Sequence, residues 1–289
     1  MNLRLVRKKI KSVDNVKKIT KAMELVSAVK MKKFQVIAIE STPYQKFLEK
    51  AINNIVRNME KNVSSLLNPQ ENTTDKTLVI FVSSNKGLCG AFNINLARFL
   101  WKNSNKKDLN VLTLGKKGTT LTTTLGFKIV ADYSSNDLYE NISALFEFVY
   151  NEYIQGKYNK VQLVYNTFVS AIEYTPVSEI LLPLQYKKKT EENEKGIEDF
   201  YRNYIIEPSA EEIIHSLLLN YLEEKIRYAV TQTHAGEHSA RMIAMQNATN
   251  NASDILLNLT LLRNKLRQEI ITNELLDMIT SKESVEVNI

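Results

Sequence analysis

Leu5–Lys33 reads LVRKKIKSVDNVKKITKAMELVSAVKMKK and contains neither glycine nor proline. Its apolar positions are Val6, Ile10, Val13, Val16, Ile19, Met23, Val26 and Val29, stepping by three or four residues. That spacing keeps a stripe on one side of an α-helix while letting it wind slowly around the axis. The pattern resumes after Pro43, a residue expected to kink or interrupt the helix, through Phe47, Leu48, Ile52, Ile55, Val56 and Met59. A continuous helix of about 55 residues would be about 80 Å long, so much of it is expected to project from any compact domain.

The far end of the chain has the same character. Residues 209–289 hold one glycine, Gly236, and no proline. Ser209 after Pro208 is a candidate N-cap, and Glu211 and Glu212 suit the first turn of a helix. Ile213, Leu217, Ile226 and Val230 follow, and then Ile255, Leu259, Leu262 and Leu266 step 4, 3, 4, as in a heptad repeat. Two breaker-free ends predict an antiparallel coiled coil of the N- and C-terminal helices. The competing reading is two separate amphipathic helices lying on a globular core.

Between them the pattern alternates. Strands are expected at Thr77–Ser83, Asn110–Leu114, Phe127–Ala131 and Val161–Thr167, and helices at Ala91–Asn103 and Asp137–Tyr153. That order predicts a central Rossmann-like α/β domain with a largely parallel sheet. Polar stretches at Asn68–Lys76 and Lys187–Gly196 flank it as linkers. The expected division is a helix over 1–67, the α/β domain with its linkers over 68–200, and a helix over 201–289.

The 289 residues carry 38 basic and 32 acidic side chains, a net of +6. That is a weak excess for a dedicated nucleic-acid binder. It is also concentrated: residues 1–33 hold eleven Lys and Arg but only Asp14 and Glu24. Such a helix suits DNA, an anionic membrane surface or an acidic protein face. One cysteine, Cys89, excludes an internal disulfide and a cysteine-cluster metal site. No run of eighteen apolar residues and no secretory leader are visible, which predicts a reduced, intracellular, soluble protein.

Candidate chemistry is sparse. Ser83–Gly90 (SSNKGLCG) follows a strand and opens a helix, where α/β folds often hold phosphate. A P-loop, however, places its lysine after the second glycine, and Lys86 precedes Gly87. Gly115-Lys116-Lys117-Gly118 lacks the loop length, so both are read as tight turns and no cofactor is expected. Cys89, with no histidine near it in sequence, reads as a buried, inert thiol. His234-Ala235-Gly236-Glu237-His238 matches H-x-x-E-H, a zinc-peptidase pattern, but neither a third ligand nor a cleft can be identified.

Several blocks stand out in order along the chain. They are Ile10-Lys11-Ser12-Val13 with Lys18-Ile19-Thr20-Lys21-Ala22-Met23-Glu24, Gly87-Leu88-Cys89-Gly90-Ala91-Phe92-Asn93, and Tyr204 with Glu207-Pro208. Glu237-His238 with Ala240-Arg241-Met242, and Asn264 with Arg267-Gln268, Ile271-Thr272 and Glu274, complete the set. Together and in this order they resemble one family, the gamma subunits of F-type ATP synthases. Asn85, Ile206, Arg263 and Leu266 depart from the usual family residues, as does the tail from Ser281.

The resemblance implies a catalytically silent rotor. Its coiled coil would stand inside a ring of three alpha and three beta subunits, with the α/β domain below, beside the epsilon subunit and the membrane c ring. It implies that Lys21, Met23, Lys30, Arg241, Gln268, Thr272 and Glu274 meet the alpha/beta ring. It places Tyr204 and Glu207 on the epsilon and c-ring side, with no metal and no cofactor. The match begins within a few residues of Met1, which implies the cytoplasmic face of a bacterial membrane. The alternatives are a rotor of a specialised F-type-like ATPase not coupled to protons, a zinc hydrolase built on His234, Glu237 and His238, and a basic coiled coil that binds nucleic acid.

Overall fold

The computed structural model describes residues 2–57, 66, 76–104, 108–134, 138–184 and 210–286. In chain order the elements are α1 (Leu3–Arg57), β1 (Thr77–Val82), α2 (Phe92–Asn103), β2 (Leu109–Leu114), α3 (Lys116–Thr124) and β3 (Lys128–Asp132). Then come α4 (Ile142–Ile154), β4 (Lys160–Phe168), β5 (Tyr174–Leu182) and α5 (Ala210–Glu286). The chain forms two compact units. Unit 1 is 1–27 with 241–289, and unit 2 is 28–240, so both long helices contribute to each. The expected Ser209 cap and both polar linkers lie largely or wholly outside the described residues.

Unit 2 is built on a five-stranded sheet in the order β3-β2-β1-β4-β5. β1 pairs in parallel with β2 and β4, and β2 in parallel with β3, while β5 runs antiparallel to β4. The central strand β1 is buried on both faces, which is why TLVIFV is a continuous apolar run rather than an alternating one. Helices α2 and α3 cover one face, where Leu96, Ala97 and Leu100 pack on Val79, Phe81 and Val111. The other face takes α4, Leu48 and Ile52 of α1, and Ile214, Leu218, Leu222 and Ile226 of α5, all in one core with Leu78, Ile80 and Leu112.

β5 has no counterpart in the sequence expectations. It carries Pro176 opposite Asn166, and a proline lacks the N–H a central strand must donate, so it is tolerated only at an edge. Its attachment is partly polar. Tyr165 on β4 donates to Glu179 on β5 (2.9 Å), and Lys225 on α5 stands 3.6 Å from the same carboxylate. Burial first, and Glu179 second, hold the Tyr165 phenol far above its ordinary pKa, so it stays a donor.

α3 corrects the reading of Gly115–Gly118 as a tight turn alone. A helix starts there because the loop after β1 supplies its first acceptors. Lys116 N–H donates to Asn85 Oδ1 (3.1 Å), Lys117 N–H to the Ser84 carbonyl (3.0 Å), and Gly118 N–H to Ser83 Oγ (2.7 Å). Gly115 has φ 112°, and a Cβ there would lie 2.3 Å from the Ser83 carbonyl oxygen, so only glycine fits. Pro43 does not interrupt α1, which is helical on both sides of it. Thr42 donates its hydroxyl to the Ala38 carbonyl (2.8 Å) at that turn.

In unit 2 the long helices run antiparallel. Phe34 stacks on His234, with ring centroids 4.7 Å apart, and Gln45, farther along α1, donates to the Glu224 carbonyl, earlier on α5 (3.3 Å). Within unit 2 the two terminal helices thus pair antiparallel, as expected, and pack on the sheet.

Candidate interaction surface of the paired helices

Unit 1 consists of the start of α1 and the end of α5. Along α1 the positions withdrawn from solvent at alternating steps of four and three are Val6, Ile10, Val13, Lys17, Thr20, Glu24 and Ser27. Along α5 they are Met245, Thr249, Ala252, Leu256, Leu259, Arg263 and Leu266. Both series keep the 3.5-residue period of a coiled-coil seam. Thr249 Oγ1 lies 2.9 Å from Thr20 Oγ1, which joins the two lines.

This seam corrects the stripe read from apolar residues alone. Val16, Ile19 and Val26 are about half exposed, and so is Ile255. A stripe that follows apolar identity in steps of three drifts around the helix, whereas contact with a second helix holds to 3.5. Thr20, Ser27 and Thr249 occupy the seam instead, at 9, 3 and 8 % exposure. Their signal was present in the sequence as the heptad that links positions 6, 13, 20 and 27, but polarity masked it.

The displaced apolar residues sit on outward faces among cations. Of the eleven basic residues in 1–33, ten are exposed, with Lys17 the exception. Lys18 is engaged by Asp14 and Lys21 by Glu24, each at 2.8 Å, which uses the only two acids of that stretch. What results is a basic surface studded with valine, isoleucine and leucine. The end of α5 is barer still: every residue from Arg267 to Ser281 is exposed, including Ile270, Ile271, Leu275, Leu276, Met278 and Ile279.

The residues singled out by resemblance fall on these surfaces in part. Lys21 and Lys30 are exposed and Met23 is half-buried. Gln268, Thr272 and Glu274 are exposed, and the Thr272 hydroxyl donates to the Gln268 carbonyl (2.9 Å). Arg241 differs from them: it is 6 % exposed, a packed residue rather than a displayed one. Tyr204 and Glu207 lie outside the described residues.

The place where an α/β fold would hold a nucleotide is filled by the protein itself. At the C-terminal ends of β1 and β4 the strand order reverses, and ligands bind in that crevice in open α/β sheets. Here Asn93 accepts from Ser84 N–H (3.2 Å) and donates to Ser84 Oγ (2.7 Å) and Cys89 Sγ (3.2 Å). Asn166 of β4 donates to the Phe92 carbonyl (3.3 Å). α5 closes over them: Ala240 packs on Cys89 and Phe92, and a Cβ at Gly236 would lie 3.0 Å from the Phe92 ring. Cys89 is buried, as expected of an inert thiol.

The H-x-x-E-H stretch is a packing element. Both imidazoles stack on Phe34, His234 at 4.7 Å and His238 at 5.7 Å between centroids. His234 also stacks on Tyr139 at 5.6 Å. Glu237 is 4 % exposed and 3.5 Å from His234 Nδ1. Among the described residues no group of three side chains could hold a metal ion.

Comparison with known proteins agrees with this geometry. A family model described as ATP synthase matches residues 2–285. The chain is 37% identical over 295 residues to the ATP synthase gamma chain of Bdellovibrio bacteriovorus, covering 99% of both. It is 32% identical over 292 residues to that of Trichlorobacter lovleyi, again covering 99% of both. A solved structure from the Euglena gracilis mitochondrial ATP synthase (OSCP/F1/c-ring, rotational state 3) superposes with a TM-score of 0.67 at 17% identity. That match covers 99% of this chain and 95% of the other, and shows a shared fold.

Proposed function

This chain belongs to the gamma-chain family of ATP synthases, and from that premise we propose that it is the central rotor shaft of a rotary F-type ATP synthase. It couples rotation of a membrane c ring to ATP synthesis and hydrolysis on the beta subunits. As a gamma chain it is a non-catalytic subunit.

The observation that carries the reading is the displayed surface of unit 1. Polar residues share the seam with apolar ones, while a second set of apolar residues faces outward among the cations. An isolated protein gains nothing by displaying that surface. A shaft that turns inside a sleeve of other subunits does. Lysines on long stems attract acidic loops without locking to them, because exposed ion pairs are screened and weak. The end of α5, exposed throughout and carrying Ile270, Ile271, Leu275, Leu276, Met278 and Ile279 among polar residues, suits a bearing that meets three identical neighbours in turn, since one off-axis rod presents a different face to each.

In this reading three alpha and three beta subunits surround the coiled coil, and Lys21, Met23, Lys30, Gln268, Thr272 and Glu274 face them. Arg241 acts from within, as a buried support. Tyr204 and Glu207 face the epsilon subunit and the c ring. The working division is a helix over 1–67, an α/β domain over 68–200 and a helix over 201–289. The complex stands at the cytoplasmic face of a bacterial membrane. The chain itself is peripheral, and no described helix is long and apolar enough to cross a membrane.

Native mass spectrometry of the tagged chain, purified from its own cells in mild detergent, tests this. The expected result is three alpha and three beta subunits per chain, together with epsilon and c. Purification with no P-loop ATPase subunits at all would overturn it.

A further inference from the structure

α1 carries a second apolar stripe, outside the core of unit 2. Val36, Ile39, Pro43 and Phe47 step by three, four and four residues, the spacing of one helix face. All four are exposed, Ile39 at 63 % and Phe47 at 68 %. Ala38, Leu48 and Ile52, from the same turns, are buried instead. Ile39, Pro43 and Phe47 line a groove of about 490 Å³, together with Thr42, Lys46 and Lys50. A single exposed apolar side chain is ordinary, but a row of them in register along a groove marks an interaction surface.

Three properties of the groove define what fits it. Its apolar residues repeat at helical spacing, so a second helix can lay a matching row of side chains along it. It also holds an acceptor that lacks its ordinary helical donor. In an α-helix the Ile39 carbonyl accepts from the N–H of residue 43, and Pro43 has none. Finally, Lys46 and Lys50, one turn apart and both exposed, make it cationic. Of the acids nearby, Glu40 and Glu49, neither lines the groove, and Glu49 is within electrostatic reach of Lys225 on α5.

We infer that this groove is the docking site of a helix from another protein, one whose apolar row is flanked by carboxylates. The row covers Ile39, Pro43 and Phe47, and the carboxylates meet Lys46 and Lys50. A hydroxyl or amide donor on the same helix reaches the Ile39 carbonyl. The two lysines repel a basic helix, and a second copy of this chain, docked groove to groove, would bring like charges together. The inference uses α1 alone and does not depend on the rotor reading.

The test replaces Phe47 with a photoreactive benzophenone amino acid in the full chain, expressed in its own cells. After illumination the cross-linked peptide is sequenced by mass spectrometry. The expected product is one peptide of another protein, with acidic residues flanking apolar ones at helical spacing. Lys46→Glu with Lys50→Glu should lower its yield about tenfold, because two exposed ion pairs become repulsions. Exchanging the peptide's flanking acids for lysine should restore it. Pro43→Ala supplies the missing N–H to the Ile39 carbonyl and should lower the yield about three- to tenfold, the ratio equivalent to one net hydrogen bond.

The lysines and Pro43 are exposed, so both variants should keep the parent's denaturant midpoint and a lost yield reports the contact. A cross-link to a peptide of this chain, to lipid or to a basic peptide would overturn the inference. So would the absence of any cross-link, or an unchanged yield in either variant. If the chain purifies without ATPase subunits, the rotor reading falls, and the cross-linked peptide still decides what the groove holds.

Discussion

Unit 2 packs α1 through Leu48 and Ile52, 7 and 1 % exposed, whereas unit 1 packs the same helix through Val6 at its start and then through Thr20 and Ser27. On α5 the contrast repeats, with Ile214, Leu218, Leu222 and Ile226 wholly buried in unit 2 and Thr249 and Ala252 at the seam in unit 1. The difference follows from what each stretch has to pack against. In unit 2 a sheet lies beneath the helix pair, and large side chains fill the space between layers. In unit 1 there is only the other helix. Two helices alone bury a narrow line, and the remaining apolar residues are left displayed. One sequence device, the long helix, thus serves as core in one unit and as surface in the other.

The contrast can be broken most sharply in unit 2. Leu218→Ala removes a fully buried side chain from the core shared by α5, α4 and the sheet. It should cost about 2–5 kcal/mol in denaturant unfolding. A loss near zero would mean that the helices and sheet of unit 2 are not one cooperative core.

Gly236→Val comes next. Its Cβ would stand 3.0 Å from the Phe92 ring where α5 crosses the filled crevice. Overpacking there should cost about 1–3 kcal/mol, and Phe92→Leu should recover part of it in a double-mutant cycle. Additive losses would show that α5 does not close on α2 at that point.

The smallest stability effects belong to the exposed faces of the two long helices. Removing residues from Asn273 onward, and separately changing Lys21, Lys30 and Lys33 to Glu, should each alter stability of the isolated chain by less than about 0.5 kcal/mol, because Asn273–Ser281 and the three lysines are exposed. Both should act on the assembled complex instead. The truncation should reduce torque before it abolishes rotation, and the charge reversals should slow ATP turnover. Unchanged turnover in the charge-reversed complex would make the basic face merely solvated.

The central strands were legible because each is a short apolar run between polar breaks, and β1, β2, β3 and β4 lie within a residue or so of the expected spans. β5 was not, since Pro176 and the polar Ser178 and Glu179 give it no alternation that stands out. α3 was hidden by its composition: KKGTTLTTT has poor helix propensity and is held by acceptors from a loop thirty-odd residues earlier. Among the surface residues, Lys21, Lys30, Gln268, Thr272 and Glu274 are displayed, and the basic charge of residues 1–33 foretold the character of that face. Arg241 could not be sorted from them by its identity, because burial of an arginine depends on what surrounds it.

By itself, the sequence determined the helical ends, through the absence of glycine and proline, and the α/β middle, through its alternation of apolar runs. Its motif order determined the family. These are local properties, written in neighbouring residues. The tertiary structure alone decided which side of each helix became seam. That choice depends on a 3.5-residue period shared with a helix more than two hundred residues away, and it passed over Val16, Ile19 and Ile255 in favour of Thr20, Leu256 and Thr249. It also decided that the nucleotide crevice is filled, because Gly236 and Ala240 reach Phe92 and Cys89 only once α5 has packed across the strand ends.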